Sequence, residues 1–141
     1  MKKSILYYLT ILSLLCISPS VLAQSGNFLT PGQTDYTGAN FEELNFSGLD
    51  LTGFIFRNAK LEKANFENAN LTNVDFSGAD LEEANLKNTV LKNTNFYNAD
   101  LDEANLHNAQ IINANFKNAE LEYAIWKDGK VCGAGSVGSC W

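Results

Sequence analysis

The sequence predicts an all-β solenoid, a four-sided coil whose rungs are twenty residues long and stack on one another. Three observations predict it. An apolar residue recurs at every fifth position from Phe41 to Trp126, eighteen in all, with no polar exception. A small residue, usually Ala, stands two places before most centres, as at Ala59, Ala64, Ala79, Ala84 and Ala119. Centres twenty residues apart repeat one residue type: Phe56, Phe76, Phe96 and Phe116 form one column, and Leu61, Leu81, Leu101 and Leu121 the next. Self-similarity at a fixed period governs the fold ahead of any local propensity.

A period of five excludes both common elements. A helix turns about 100° per residue, so five residues rotate the side chain by roughly 140° and the centres would spiral round the axis. A flat strand alternates faces, so an odd spacing would send successive centres to opposite sides. A coil that turns a corner every five residues keeps all the centres inside. Four corners close a rung, and backbone groups pair with the next rung about 4.8 Å away. Three or five sides would mix the columns, so four is the number that the sequence selects.

Units such as ADLEE (79–83), ANFEN (64–68), ANLTN (69–73) and ADLDE (99–103) resemble the pentapeptide-repeat proteins, whose consensus is A(D/N)Lxx. The resemblance covers about residues 34 to 127 without an insertion. It implies a right-handed quadrilateral β-helix of about 4.5 coils, with the centre and the small residue two before it facing inward. For function it implies little, because one fold hosts many roles. Some members look like duplex DNA and modulate type II topoisomerases such as gyrase, which makes a DNA mimic the alternative reading here. The exported leader, the absence of the C-terminal helices through which those relatives dimerise, and the uninterrupted repeats all point away from it.

Four segments follow in chain order. Residues 1–23 read as a signal peptide: Lys2 and Lys3, an apolar run from Ile5 to Ile17, then Val21-Leu22-Ala23 ahead of a cut before Gln24. The run is short of the ~20 residues of a membrane span, and Leu15 before Cys16 argues against a lipoprotein anchor. The expectation is an exported protein, periplasmic or secreted, with no stable membrane anchor after cleavage. Residues 24–33, with Pro31-Gly32, form an N-terminal lead-in or cap, and 34–127 the solenoid. Residues 128–141 form a C-terminal cap, opened by the turn signal Asp128-Gly129.

Cleavage removes Cys16 and leaves Cys132 and Cys140, an even pair in an oxidising compartment. The reading is a structural disulfide, contributing roughly 2.5 kcal/mol by closing a short loop. A metal pair or redox couple is the alternative, but seven intervening residues do not resemble CxxC spacing. Trp126, Trp141 and the stapled loop are suited to cover the end of the coil, which would otherwise offer unpaired backbone to another chain.

Function then has to be sought outside the coil. Net charge moves from −6 to −8 when the leader leaves, since two lysines and no acid go with it. Eleven of the sixteen acids fall on one side of four, at 40–43, 60–63, 80–83, 100–103 and 120–123, interrupted only by Lys60 and Lys63. The column Glu42, Glu62, Glu82, Asp102 and Glu122 is acidic on every rung. Two readings stand: a solvated side that keeps the rod soluble, or a docking face for a basic protein surface or for Ca²⁺ bridging neighbouring rungs.

The other sides are Asn-rich, with Asn68, Asn88 and Asn108, and Asn73, Asn93 and Asn113, repeating at twenty as corner residues and stacked amides. Ile55, Val90, Ile112 and Ile125 are scattered apolar residues outside. His107 is the only histidine and occupies an outward slot beside Lys87 and Lys127. No nucleophile with a base partner and no phosphate-cradling loop occurs, and carboxylates on a convex rod have no pocket to perturb them. The expectation is no enzyme, no catalytic residue, no cofactor, no nucleic-acid partner, and a monomer.

Overall fold

A computed structural model describes Leu29 and residues 33–141. The signal peptide expected at 1–23 and most of the lead-in expected at 24–33 therefore lie outside the described residues. The chain winds as a right-handed quadrilateral β-helix. Parallel bridges join residues twenty apart on all four sides, from Asp35 with Ile55, Asn40 with Lys60, Asn45 with Asn65 and Asp50 with Asn70 up to Asn105 with Ile125. Two bridged stretches reach strand length, β1 (Val90–Lys92) and β2 (Gln110–Ile112), paired in parallel with Leu91 opposite Ile111. Val90, Ile111 and Ile112 supply the β-branched side chains that favour extended backbone there.

Each five-residue side has one division of labour, visible around Leu61. The Leu61 N–H donates to the Asp80 carbonyl of the next rung at 2.7 Å, and the Lys63 N–H to the Glu82 carbonyl at 2.9 Å. The Ala64 N–H closes the corner onto the Leu61 carbonyl at 2.9 Å, and the Asn65 N–H reaches back to the Leu44 carbonyl at 2.8 Å. Rungs are thus tied above and below, and most corners close with a bond of this kind, as Ala69 does onto Phe66 and Ala104 onto Leu101.

At most rungs the residue before the centre is Asn or Asp and does work that the period alone did not disclose. Its Asn or Asp side chain accepts the N–H two residues on, as Asn45 does from Ser47 at 2.9 Å, Asp75 from Ser77 at 3.0 Å and Asn105 from His107 at 3.0 Å. This Asx turn satisfies a corner N–H that neither neighbouring rung can reach. The second residue after each centre from Phe41 to Leu121 takes left-handed backbone, Asn88 at φ 59° and Gly48 at φ 70° for example. Asn and Gly tolerate that region best, which explains their recurrence.

The interior is a set of columns. The Phe56, Phe76, Phe96 and Phe116 rings stack with centroids 5.4, 5.4 and 4.9 Å apart and planes within 15° of parallel. Phe46 and Phe66 stack likewise at 4.9 Å. Sixteen of the eighteen centres are buried; Ile111 and Trp126 are half-buried. Two small-residue slots hold buried threonines, and both hydroxyls are satisfied: Thr89 donates to the Leu86 carbonyl at 2.7 Å and Thr94 to the Leu71 carbonyl at 2.9 Å.

Beyond Trp126 the chain reverses and returns antiparallel, with Val131 bridged to Ile125 and Val137 to Glu120. Cys132 and Cys140 form a disulfide with Cα atoms 4.8 Å apart, and Cys132 and Ser136 turn inward. Trp126 packs edge-on against Phe116 at 5.2 Å and plugs the phenylalanine column. Trp141, expected to help cover the end, is instead 62% exposed. The reversal at Asp128-Gly129 is the cause, because an antiparallel return retraces 119–126 and, among the described residues, leaves 110–115 without a covering rung. Among the described residues no helix is long and apolar enough to cross a membrane.

Candidate functional site

The acidic side can be built from the slots just described. Glu42, Glu62, Glu82, Asp102 and Glu122 occupy the first position after the centre, which points outward. Parallel bridges at Lys60 with Asp80, Asp80 with Asp100 and Asp100 with Glu120 carry the coil through this side, so the column's members are neighbours on successive rungs. Glu42 and Glu82 are exposed, while Glu62, Asp102 and Glu122 are half-buried by the rungs beside them.

Acids in the other two slots are not equivalent. Asp80 and Asp100 precede their centres, and each gives an oxygen to the turn, to the Glu82 N–H at 3.3 Å and the Asp102 N–H at 3.0 Å. Glu120 is one methylene too long for that role. The Glu122 N–H is accepted instead by Asp102 of the rung below, at 2.6 Å. Glu43, Glu83 and Glu103 hold the left-handed corner at φ 59°, 56° and 59°, and Lys63 and Tyr123 hold the same slot at 57° and 58°. On the other three sides this slot is Asn or Gly at every described rung, as at Asn58, Asn68, Asn73 and Gly78. The acidic side alone places long side chains on strained backbone.

The two lysines neutralise one end only. Lys60 lies 3.9 Å from Glu42, and Lys63 pairs with Glu62 and, at 3.3 Å, with Glu83. The bond to Glu62, then that to Glu83, raises the Lys63 pKa. Further along, no cation faces Asp100, Asp102, Glu103, Glu120 or Glu122 within salt-bridge distance among the described residues. Exposed as it is, Glu82 loses some hydration to its neighbours, and this partial desolvation, followed by the charges of Asp100 and Glu62, pushes its carboxyl above its ordinary range. Burial also raises Asp102 despite the Glu122 N–H, and Asp100 and Glu122 add to the rise. One oxygen from each of Asp100, Asp102 and Glu120 lies within 4.8 Å of the others, the one described group able to hold a metal ion.

The remaining candidates are structural. Asn93 donates to Asn73 at 3.0 Å and Asn118 to Asn98 at 3.1 Å, so amide ladders run between rungs. Two further ladders in the slot before the centre, Asn85 to Asn65 at 3.1 Å and Asn115 to Asn95 at 2.9 Å, were not read from the sequence. Cys132 and Cys140 are consumed by their disulfide.

The family described as Pentapeptide repeats matches in 8 copies, over residues 32–58, 56–88 and 79–118. HetL, a pentapeptide repeat protein involved in heterocyst differentiation regulation from the cyanobacterium Nostoc sp. strain PCC 7120, superposes with a TM-score of 0.65 at 28% identity. That match covers 69% of this chain and 55% of HetL, so this chain spans about half of HetL's length. The pentapeptide repeat protein Rfr23 from the cyanobacterium Cyanothece 51142 gives 0.66 at 31% identity, over 70% of this chain and 67% of its own. A pentapeptide repeat protein of the Arabidopsis thaliana thylakoid lumen gives 0.65 at 28% identity, over 75% and 79%. No curated protein matches the sequence significantly.

Proposed function

The chain belongs to the pentapeptide-repeat family, and from that premise we propose a non-enzymatic exported rod whose acidic side docks a positively charged partner. The observation that carries this reading is the strained corner. Left-handed backbone costs an ordinary residue on the order of 1 kcal/mol. Asn or Gly would relieve it, as they do on the other three sides, yet this side keeps Glu43, Glu83 and Glu103 there. A side selected only for solubility would gain charge more cheaply at the unstrained outward slot. The partner that suits these rows is a basic protein surface. Ca²⁺ at Asp100, Asp102 and Glu120 is the ionic version of the same proposal.

Export rests on the leader-like residues 1–23, and a relative located in the thylakoid lumen supports a role for such rods outside the cytoplasm. Work by contact is also in keeping with the regulatory part in the name of HetL. A DNA mimic is the less favoured reading, because a duplex carries charge on both strands and here it is gathered on one side.

Two variants of equal net charge separate a docking face from bulk acidity. One removes three acids from the face (Glu62→Gln, Glu82→Gln, Glu122→Gln), the other three from elsewhere (Asp50→Asn, Glu67→Gln, Asp128→Asn). Calorimetric titration with a lysine-rich peptide is expected to weaken for the first variant alone, and titration with Ca²⁺ to weaken for Asp102→Asn with Glu120→Gln. Equal losses in both, or no heat from either probe with the unaltered protein, would refute the proposal.

A further inference from the structure

The C-terminal end is a step. The returning tail is bonded onto one half of the last rung, through Leu121 N–H to the Ser136 carbonyl at 2.9 Å, Gly138 N–H to the Ala119 carbonyl at 2.8 Å and Cys132 N–H to the Ala124 carbonyl at 2.9 Å. It therefore stands one strand spacing, about 4.8 Å, above that rung. The other half, 110–115, stays one level lower. There, among the described residues, β2 is the edge of its sheet, paired only with β1. The Asn113 N–H has no partner among the described residues, whereas the same group one rung below, on Asn93, donates to the Ile112 carbonyl at 2.8 Å. Ile111 and Ala114 are half-buried where their counterparts one rung below, Leu91 and Thr94, are fully covered, and Ile112 is 46% exposed.

We propose that this step is a dimer interface, in which the tail of a second copy of this chain fills the open half-rung of the first and receives the first copy's tail on its own. A twofold axis along the edge of the step carries the raised half of one end onto the lowered half of the other, so one contact forms twice and the assembly closes. The missing layer is one strand thick, and so is the tail.

Three observations select a second copy as the occupant. The open half carries no charge, since 110–115 reads Gln, Ile, Ile, Asn, Ala, Asn, while the rest of the exterior gathers the net negative charge. It is thus the place where two like-charged rods meet with least repulsion. Among the described residues, five of the six large exposed apolar ones lie from Ile112 to the C-terminus, with Val131, Val137 and Trp141 on the tail itself. Exposed apolar surface is thereby concentrated on both parts of the step, and burying it drives association. Last, the edge of β2 offers backbone donors and acceptors of the kind that another β segment satisfies.

The sequence reading expected a monomer, and sedimentation velocity of the purified protein decides between the two. The expected result is a concentration-dependent dimer that persists when salt is raised, because its contacts are apolar and backbone. Ile112→Lys and, independently, Val131→Lys are each expected to weaken dimerisation by about tenfold or more. Circular dichroism melts should leave the fold of both variants intact, since each side chain is about half or more exposed. A monomer at every concentration would overturn the proposal. So would a dimer that salt dissolves, the mark of side-by-side charge pairing, or a dimer that both substitutions leave unchanged.

Discussion

Asp50 and Glu82 show how one residue type serves opposite ends in this coil. Asp50 sits before its centre and accepts the Thr52 hydroxyl and N–H at 2.6 and 3.1 Å, the hydroxyl first among the causes that hold its carboxyl below the ordinary range. At Asp75, burial pushes upward, but the bonds from Ser77, Arg57 and Asn95 prevail and the carboxyl is again lowered. These groups stabilise the folded state at neutral pH, and the contribution is lost as pH falls through their depressed values. Glu82 and Asp102 are raised, so their ionised forms oppose folding at neutral pH, and that opposition lifts as pH falls through the raised values. Thermal stability is therefore expected to rise on mild acidification, just above the ordinary Glu value of 4.5, and to fall once pH drops below the ordinary Asp value of 3.8. Melting temperature measured against pH checks this, with Glu82→Gln and Asp102→Asn together flattening the rise. A profile that declines steadily from neutrality contradicts it. The Asx turns were legible in principle, since Asn or Asp before the centre recurs from Asn40 onward. Strain at Glu43, Glu83 and Glu103 was not, because Glu does not favour left-handed backbone and only the coil imposes it.

The rung is the element of this fold, and its strength lies in the columns. Phe76 is fully buried between Phe56 and Phe96, each 5.4 Å away. Phe76→Ala removes a ring from a stack that cannot close up without breaking the ladders on four sides, and is expected to cost about 3–5 kcal/mol. Thr94→Ala provides the contrast in a neighbouring inward slot. The Leu71 carbonyl that accepts the Thr94 hydroxyl also accepts the Val74 N–H at 3.1 Å, so it keeps a partner. That change restores the usual Ala and is expected to cost about 1 kcal/mol or less. Denaturant melts of the two variants measure both, and comparable losses would contradict the division between column and slot. Most of this was legible, because like stacked on like at twenty residues admits only a four-sided coil. The half-covered end was not. Asp128-Gly129 signals a turn, but the sequence does not say that the chain returns antiparallel over 119–126, which leaves Ile111 and Ile112 at an edge.

Over the whole molecule the four sides are unequal in charge and in strain, and the two inequalities coincide. Asn-rich sides give their corners to residues that suit them and tie rung to rung with amide ladders, such as Asn93 to Asn73. The acidic side gives its corners to Glu, Lys and Tyr and leaves three carboxylates within 4.8 Å of one another. Stability has been exchanged for charged, projecting side chains on one side of an otherwise regular rod, a pattern common where a surface is kept for contact. The variant Glu43→Asn, Glu83→Asn, Glu103→Asn tests that exchange directly, with melting temperature and lysine-rich peptide affinity measured on the same sample. The account predicts a melting temperature several degrees higher, from roughly 1 kcal/mol relieved at each corner, together with weaker peptide binding than in a variant stripped of three acids elsewhere. A variant that melts no higher than the unaltered protein, or one that binds the peptide as well as that control, would contradict it.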